Sequence, residues 1–413
     1  MNILDAGLPI WIVVFCLCLL FFTGIQHYTR KSLLPPECWI LLGGLFYGIL
    51  SRYFGDYLPL ISLGHDVVIL LILPVLIFAA GRSVKPQVLE SEAIPIGFFS
   101  LFGVVITMFL IGLPIAYMLD IPLMHGLLFG AAISATDPAA VTAIFNRFTV
   151  PERLKLLVEG ESLFNDGTAM VLFALVAGFL FQGGMFHLGN TIFAITWSLV
   201  GAFFLGVVTG WCASFIIKIW HEHHNFFPLS LTLVLALGTF LVAEKLLHVS
   251  GVVAVLMAAI VFARKQRLRE QDEKHTDKAR LFGSFWDYIS TLINSFLFFF
   301  LGVSTGAHPY NLPLEFLMGA LIFVILSRAI LVYVGGGALR AVGTKLPLSW
   351  MNVLTLGGVR GAVSAALILL LPHDYAHGET FLCLVFGVIF FSLIVQPPLM
   401  ALYLKSTKLP GKA

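Results

Sequence analysis

GESLFNDGTAMVLFALVAGFLF, residues 160–181, decides how this chain is read. The stretch is long enough for a helix that crosses a bilayer, yet Glu161, Asn165 and Asp166 stand near its start. An ionised side chain in hydrocarbon costs at least about 2.5 kcal/mol, so it persists there where it has a function. What surrounds the stretch shows whether it lies in a membrane.

Of the 413 residues, 59% are hydrophobic and 11% charged. A soluble domain carries about 25% charged residues, so too few are present here to cover a water-facing surface. Runs such as FFSLFGVVITMFLIGLPIAYML (98–119) meet the roughly 20-residue length of a membrane-crossing helix. The 38 glycines fit helices that pack closely in lipid. These features predict an all-α polytopic membrane protein. Cys16, Cys18, Cys38, Cys212 and Cys383 show no paired spacing and read as small apolar fillers. The first apolar run has no basic segment before it, so no cleavable signal peptide is expected. The net charge of +2 gives no reason to expect a nucleic-acid partner.

Thirteen spans are expected, at 9–26, 37–54, 63–80, 93–118, 122–146, 154–183, 189–220, 227–247, 249–264, 283–306, 312–342, 347–371 and 378–405. Lys and Arg alternate between abundant and scarce along their connections, and twenty of the 24 fall on one side. By the positive-inside rule that side is cytoplasmic, which puts the N-terminus outside and the C-terminus in the cytoplasm. Arg52 and Lys245 fall on the other side, and Arg328 and Arg360 lie inside spans. An odd number of spans suits two inverted six-helix repeats, 1–183 and 227–405, joined by a helix at 189–220 in a single domain, 1–413. Spans 5 and 12 read as broken, at ISATDPAAV and TLGGVRGAV.

The deep acidic residues are Asp137, Glu161 and Asp166. Asp137 precedes Pro138, a pairing that suits the start of a half-helix within the bilayer, with freed carbonyls such as that of Thr136 available to a cation. Gly357, Gly358 and Gly361 permit a similar break beside Arg360. Ser162 and Asp166 share a helix face. A carboxylate, a hydroxyl and a carbonyl make an oxygen-rich site for a monovalent ion, placing Na⁺ at Asp166, Ser162 and Thr136. Loss of solvation disfavours a charged carboxylate, so Asp166 is expected to hold either a proton or a cation. Glu161 is expected to pair with Arg328, with Arg360 as the alternative. Purely structural capping competes as a reading of Asp137. Bonding to its own helix backbone competes for Ser162.

HEHHN (221–225) reads as a solvated turn, and 263–280 as a topology signal with possible lipid contact. Phe298 to Phe300 read as lipid-facing or packing residues. Glu244 and Asp287 lie near span ends and are assigned no role. A cation channel is the second functional class, though no carbonyl-filter repeat or charged ring supports it. A membrane enzyme is third, without a Ser/His or paired-Asp signature.

ATDP (135–138), GESLFNDGTA (160–169) and GGVRGAVS (357–364) resemble the signatures of the monovalent cation:proton antiporters, in particular the NhaP-type sodium/proton exchangers. The resemblance covers nearly the whole chain. It implies thirteen helices with crossed discontinuous helices 5 and 12, a homodimer in the plasma (inner) membrane, pH homeostasis by exchange of Na⁺ or Li⁺ for H⁺, and no cofactor. It implies Asp166 as carrier, with Ser162, Thr136 and Asp137 around it and Asn165 bracing the crossing. An Asn-Asp pair is associated in that family with electroneutral exchange, which agrees with one carboxylate swapping one cation for one proton. Many relatives have an acidic residue where LPVLIFAAGRS places Ala79, so K⁺ in place of Na⁺ is the alternative substrate.

Overall fold

The computed structural model describes residues 3–29, 32, 34–54, 65–83, 92–181, 188–220, 227–270, 276–307, 313–344, 346–372, 374–407 and 409, with no strand among them. In chain order the helices are α1 (Ile3–Thr29), α2 (Pro36–Tyr53), α3 (65–83), α4 (Ala93–Met118), α5 (Leu123–Ser134), α6 (Ala139–Phe145) and α7 (Glu152–Phe181). They continue as α8 (Leu188–Trp220), α9 (Phe227–Leu247), α10 (Gly251–Glu270), α11 (Thr276–Ala307), α12 (Leu314–Ala341), α13 (Leu348–Leu356), α14 (Ala362–Leu369) and α15 (Gly378–Ser406). Eight stretches of the described residues are long and apolar enough to cross a membrane, and Phe15–Thr29 and Val68–Arg82 are shorter apolar helices. The protein is an integral, multi-pass membrane protein. HEHHN lies outside the described residues, as do 271–275 of the basic loop.

Proline and glycine set the boundaries. Pro35, Pro122, Pro313 and Pro347 stand immediately before α2, α5, α12 and α13, where a missing N–H costs nothing. α5 stops because Ala135 turns extended (φ −60°, ψ 142°). Asp137, held before Pro138, is biased away from helix. α13 stops at the Gly357-Gly358 pair, and Gly361 is extended before α14 begins. The expected span 347–371 is therefore two short helices, and α10 runs past the expected end at 264 to Glu270.

Small residues let helices touch by backbone. Gly44 and Gly48 of α2 lie against the backbone of Phe299 and Val303 of α11, while Gly302 and Gly306 of α11 lie against Leu41 and Leu45. Lipid gives helices no hydrophobic reason to associate, so such close approach supplies the attraction. Phe298, Phe299 and Phe300 are buried, and Phe299 packs on the Phe22 ring of α1, which makes them packing residues.

The contacts between helices recur across the chain. α2 packs on α11 as α10 packs on α3; α4 packs on α5 as α12 packs on α13; α7 packs on α5 as α15 packs on α13. Moving each first-half span forward by seven, and each second-half span back by seven, converts one member of each pair of contacts into the other.

Candidate ion-binding site

The two broken helices meet at their gaps. The Asp137 N–H donates to the Val359 carbonyl at 2.8 Å, tying one gap to the other. The Asp137 carboxylate accepts the Ala139 N–H at 2.8 Å through Oδ1, and its side chain lies against Gly361 at the start of α14. Pro138 takes the N-cap position of α6, so Asp137 caps from one residue further out than its sequence position suggested. One negative group thus faces the positive ends of both α6 and α14.

The carbonyl ends of the other half-helices meet guanidinium groups. Arg360 Nη1 donates to the carbonyls of Ser134 (2.7 Å) and Ala135 (3.2 Å), at the end of α5. Arg328 Nε and Nη2 donate to Leu354 O, in the last turn of α13, at 3.0 and 2.8 Å. The same Arg328 forms a two-pronged pair with Glu161 of α7: Nη1 with Oε1, and Nη2 with Oε2 at 3.0 Å. Glu161 therefore serves Arg328, not Arg360. Each half-helix dipole at the crossing meets an opposite charge, which allows four helix ends to sit inside the protein.

Two glycines make room for this arrangement. Arg328 lies directly on Gly358, and the Asp137 side chain lies on Gly361, leaving no space for a Cβ at either position. Asp137 cannot retreat, because the Ala139 N–H holds its carboxylate and the Val359 carbonyl holds its own N–H. Gly361→Ala is expected to destabilise the protein by about 1–3 kcal/mol, the usual range for overpacking. Gly178→Ala, where nothing lies within 4 Å, serves as the control. Heat unfolding in detergent checks this, and equal midpoints for the two variants would refute it.

Thr136 is the centre of a second cluster. Its hydroxyl lies 3.0 Å from that of Ser162 and accepts the Asn165 side-chain amide at 2.7 Å, while its N–H donates to Asn165 Oδ1 at 3.3 Å. Asn165 thereby holds the broken backbone of the α5–α6 gap from α7. Ser162 and Asn165 are buried behind Thr136, whereas Thr136, Asp137 and Asp166 line a cavity of about 820 Å³. Asp166 Oδ1 is fully enclosed and has no hydrogen-bond partner among the described residues. The cavity extends to Arg82, Asn146 and Asp287, and the Asp287 side chain is 76% exposed. Ala79 of α3 lines the cavity too and presents only a methyl group to it.

Away from the cavity, at the N-terminal end of α5, aromatic rings cluster. Tyr375 Oη lies 2.6 Å from His125 Nδ1, with the two rings stacked, and His377, Phe181 and Phe381 pack around Tyr375. The cavity brings together a carboxylate, a hydroxyl and a backbone gap.

A family model described as sodium/hydrogen exchanger, transmembrane, matches residues 17–406. The chain belongs to this family. The Na(+)/H(+) antiporter NhaH of Halobacillus aidingensis is 30% identical over 372 residues, covering 88% of this chain and 89% of the relative. The Na(+)/H(+) antiporter ApNhaP of Aphanothece halophytica is 33% identical over 342 residues, 82% of this chain and 64% of the relative. The sodium proton antiporter MjNhaP1 of Methanocaldococcus jannaschii has the same fold, with a TM-score of 0.78 at 21% identity, covering 96% of this chain and 98% of that one.

Sequence reasoning missed three contacts. Arg153 pairs with buried Glu92 and lies 5.4 Å from the Trp350 ring centre, joining α7 to α13. Arg82 Nη2 meets Asp287 Oδ1 at 2.7 Å. Glu244 accepts the Gly251 N–H at 2.8 Å and caps α10. The first two join residues far apart in the chain, and no local spacing announces them. Glu244 lies close enough to Gly251 to have been suspected as a cap.

Proposed function

We propose that this family member is a secondary antiporter exchanging Na⁺ or Li⁺ for H⁺ by alternating access at Asp166, one cation for one proton. The observation that carries the reading is the Asp166 carboxylate, its Oδ1 without a partner among the described residues, in a residue that lines one cavity with Thr136 and Asp137. A carboxylate with no protein partner is free to take a proton or an ion, and one such carrier moves no net charge in a one-for-one swap. Thr136 supplies oxygen, and Asp137 holds the two half-helices. Ser162 and Asn165 fix Thr136, while Glu161, Arg328 and Arg360 neutralise the crossing. The cavity on one side and the ring cluster on the other support a conformation open to the cytoplasm, since Arg82, Asn146 and Asp287 fall on the basic-rich side.

The exchange of packing partners between helices supports two inverted repeats, 1–183 and 227–405, around the linking helix, and with them thirteen spans. The same proposal has the chain as a homodimer in the plasma (inner) membrane, N-terminus outside and C-terminus cytoplasmic, serving pH homeostasis without a cofactor. One observation favours a second substrate: Ala79 removes an anionic oxygen from the cavity, which suits a more weakly held K⁺.

Purified protein in liposomes holding a pH-sensitive dye tests these readings. Gradients of Na⁺, Li⁺ or K⁺ are imposed with the membrane voltage clamped and unclamped. Na⁺- or Li⁺-driven proton movement, unchanged by the clamp, is the expected result. Proton movement driven by K⁺ alone would favour the second substrate, and none with any ion would overturn the antiport reading.

A further inference from the structure

The cavity at Asp166 has one wall without a side-chain oxygen and one wall that carries several. α3 lines it with Leu76, Ile77, Ala79, Ala80 and Arg82, none bearing a side-chain oxygen; α11 lines it with Trp286, with Ser290 and with the polar trio Asp287, Thr291 and Asn294. These three α11 residues are spaced by four and then three, which places them on one stripe of the helix. At 1.5 Å per residue, Asn294 lies about 10 Å further along α11 than the exposed Asp287. The three differ in how they are occupied. Asp287 is held by Arg82, and the Thr291 hydroxyl donates to the Asp287 carbonyl at 2.7 Å. Asn294 is half-buried, yet its amide makes no hydrogen bond to another described residue. A half-buried amide on a cavity wall, without a partner among the described residues, takes its hydrogen bonds from what the cavity holds.

We infer that Asn294 is a further cation-binding residue, its side-chain carbonyl facing an ion held at Asp166. This rests on the reading of Asp166 as the carrier. A monovalent ion leaving water replaces hydration oxygens with protein oxygens, and the α3 wall offers it no side-chain oxygen. A neutral amide carbonyl supplies one without adding charge, so the one-for-one exchange is preserved. Asn294 thereby helps to set affinity and selectivity among Na⁺, Li⁺ and K⁺, while the proton stays on Asp166.

The experiment measures exchange in liposomes over a range of Na⁺ and Li⁺ concentrations for the unaltered protein, Asn294→Ala, Asn294→Asp and Asp166→Asn. Asn294→Ala is expected to raise the apparent KM for Na⁺ about tenfold, the equivalent of one lost ligand contact, with the maximal rate largely kept and the Na⁺ to Li⁺ preference altered. Asn294→Asp retains an oxygen and is expected to keep the KM near or below that of the unaltered protein. An unchanged KM and ion preference in Asn294→Ala would overturn the inference while leaving Asp166 as carrier. Absence of exchange in the unaltered protein would instead remove the reading on which the inference rests. Should Asn294→Ala unfold early on heating, Asn294→Ser, whose hydroxyl is too short to reach the same point, takes its place with the same expectation.

Discussion

Asp166→Asn is expected to reduce cation-driven proton movement to the level of empty liposomes, in protein that remains folded. The carboxylate is the group that exchanges a proton for a cation, and an amide, which cannot take up the proton or carry the counter-charge, cannot complete that exchange. The expectation that the variant folds has its own structural ground. Asp166 Oδ1 makes no hydrogen bond with the described residues, and Thr136, Ser162 and Asn165 hold one another without it. Replacing the carboxylate by an amide of nearly the same shape removes no contact that holds α7 in place. Exchange and heat unfolding are measured on one preparation. Substantial remaining exchange would show that Asp166 is not the carrier, and early unfolding would show that its charge supports the fold.

The second large effect is one of stability. Glu161→Ala leaves the Arg328 guanidinium buried without its counter-charge, and loss of one partner of such a pair costs about 3–5 kcal/mol. Arg328 also holds Leu354 at the end of α13, so its displacement loosens the crossing as well. Glu161→Ala combined with Arg328→Met is expected to lose less than the two single losses added, because no uncompensated charge remains. Unfolding midpoints of the four proteins check this. Strict additivity would mean that Glu161 and Arg328 contribute independently, despite their contact.

Much of this architecture was legible in the chain. The lengths of the apolar stretches around α4 and α9, the alternation of basic loops, and the gaps at Asp137-Pro138 and Gly357-Gly358 are local features, and local chemistry produces them. The candidate site was legible more unevenly. Asp166 declared itself as a carboxylate in an apolar helix. Ser162 did not declare that it would stand behind Thr136, outside the cavity lining, since i, i+4 spacing gives a shared face but not what that face meets.

The contrast between the two deep arginines shows where the boundary lies. By itself the sequence determined that this is a helical membrane protein, that two of its helices are broken, and that buried cations must answer buried carboxylates. Apolar length, proline, glycine and charge impose those features within a few residues of where they stand. Only the tertiary structure decided that Arg328 serves Glu161 and α13, that Arg360 serves α5, and that the α11 stripe shares a cavity with Asp166. Those are distances between helices far apart in the chain, and they are set by packing around the crossing.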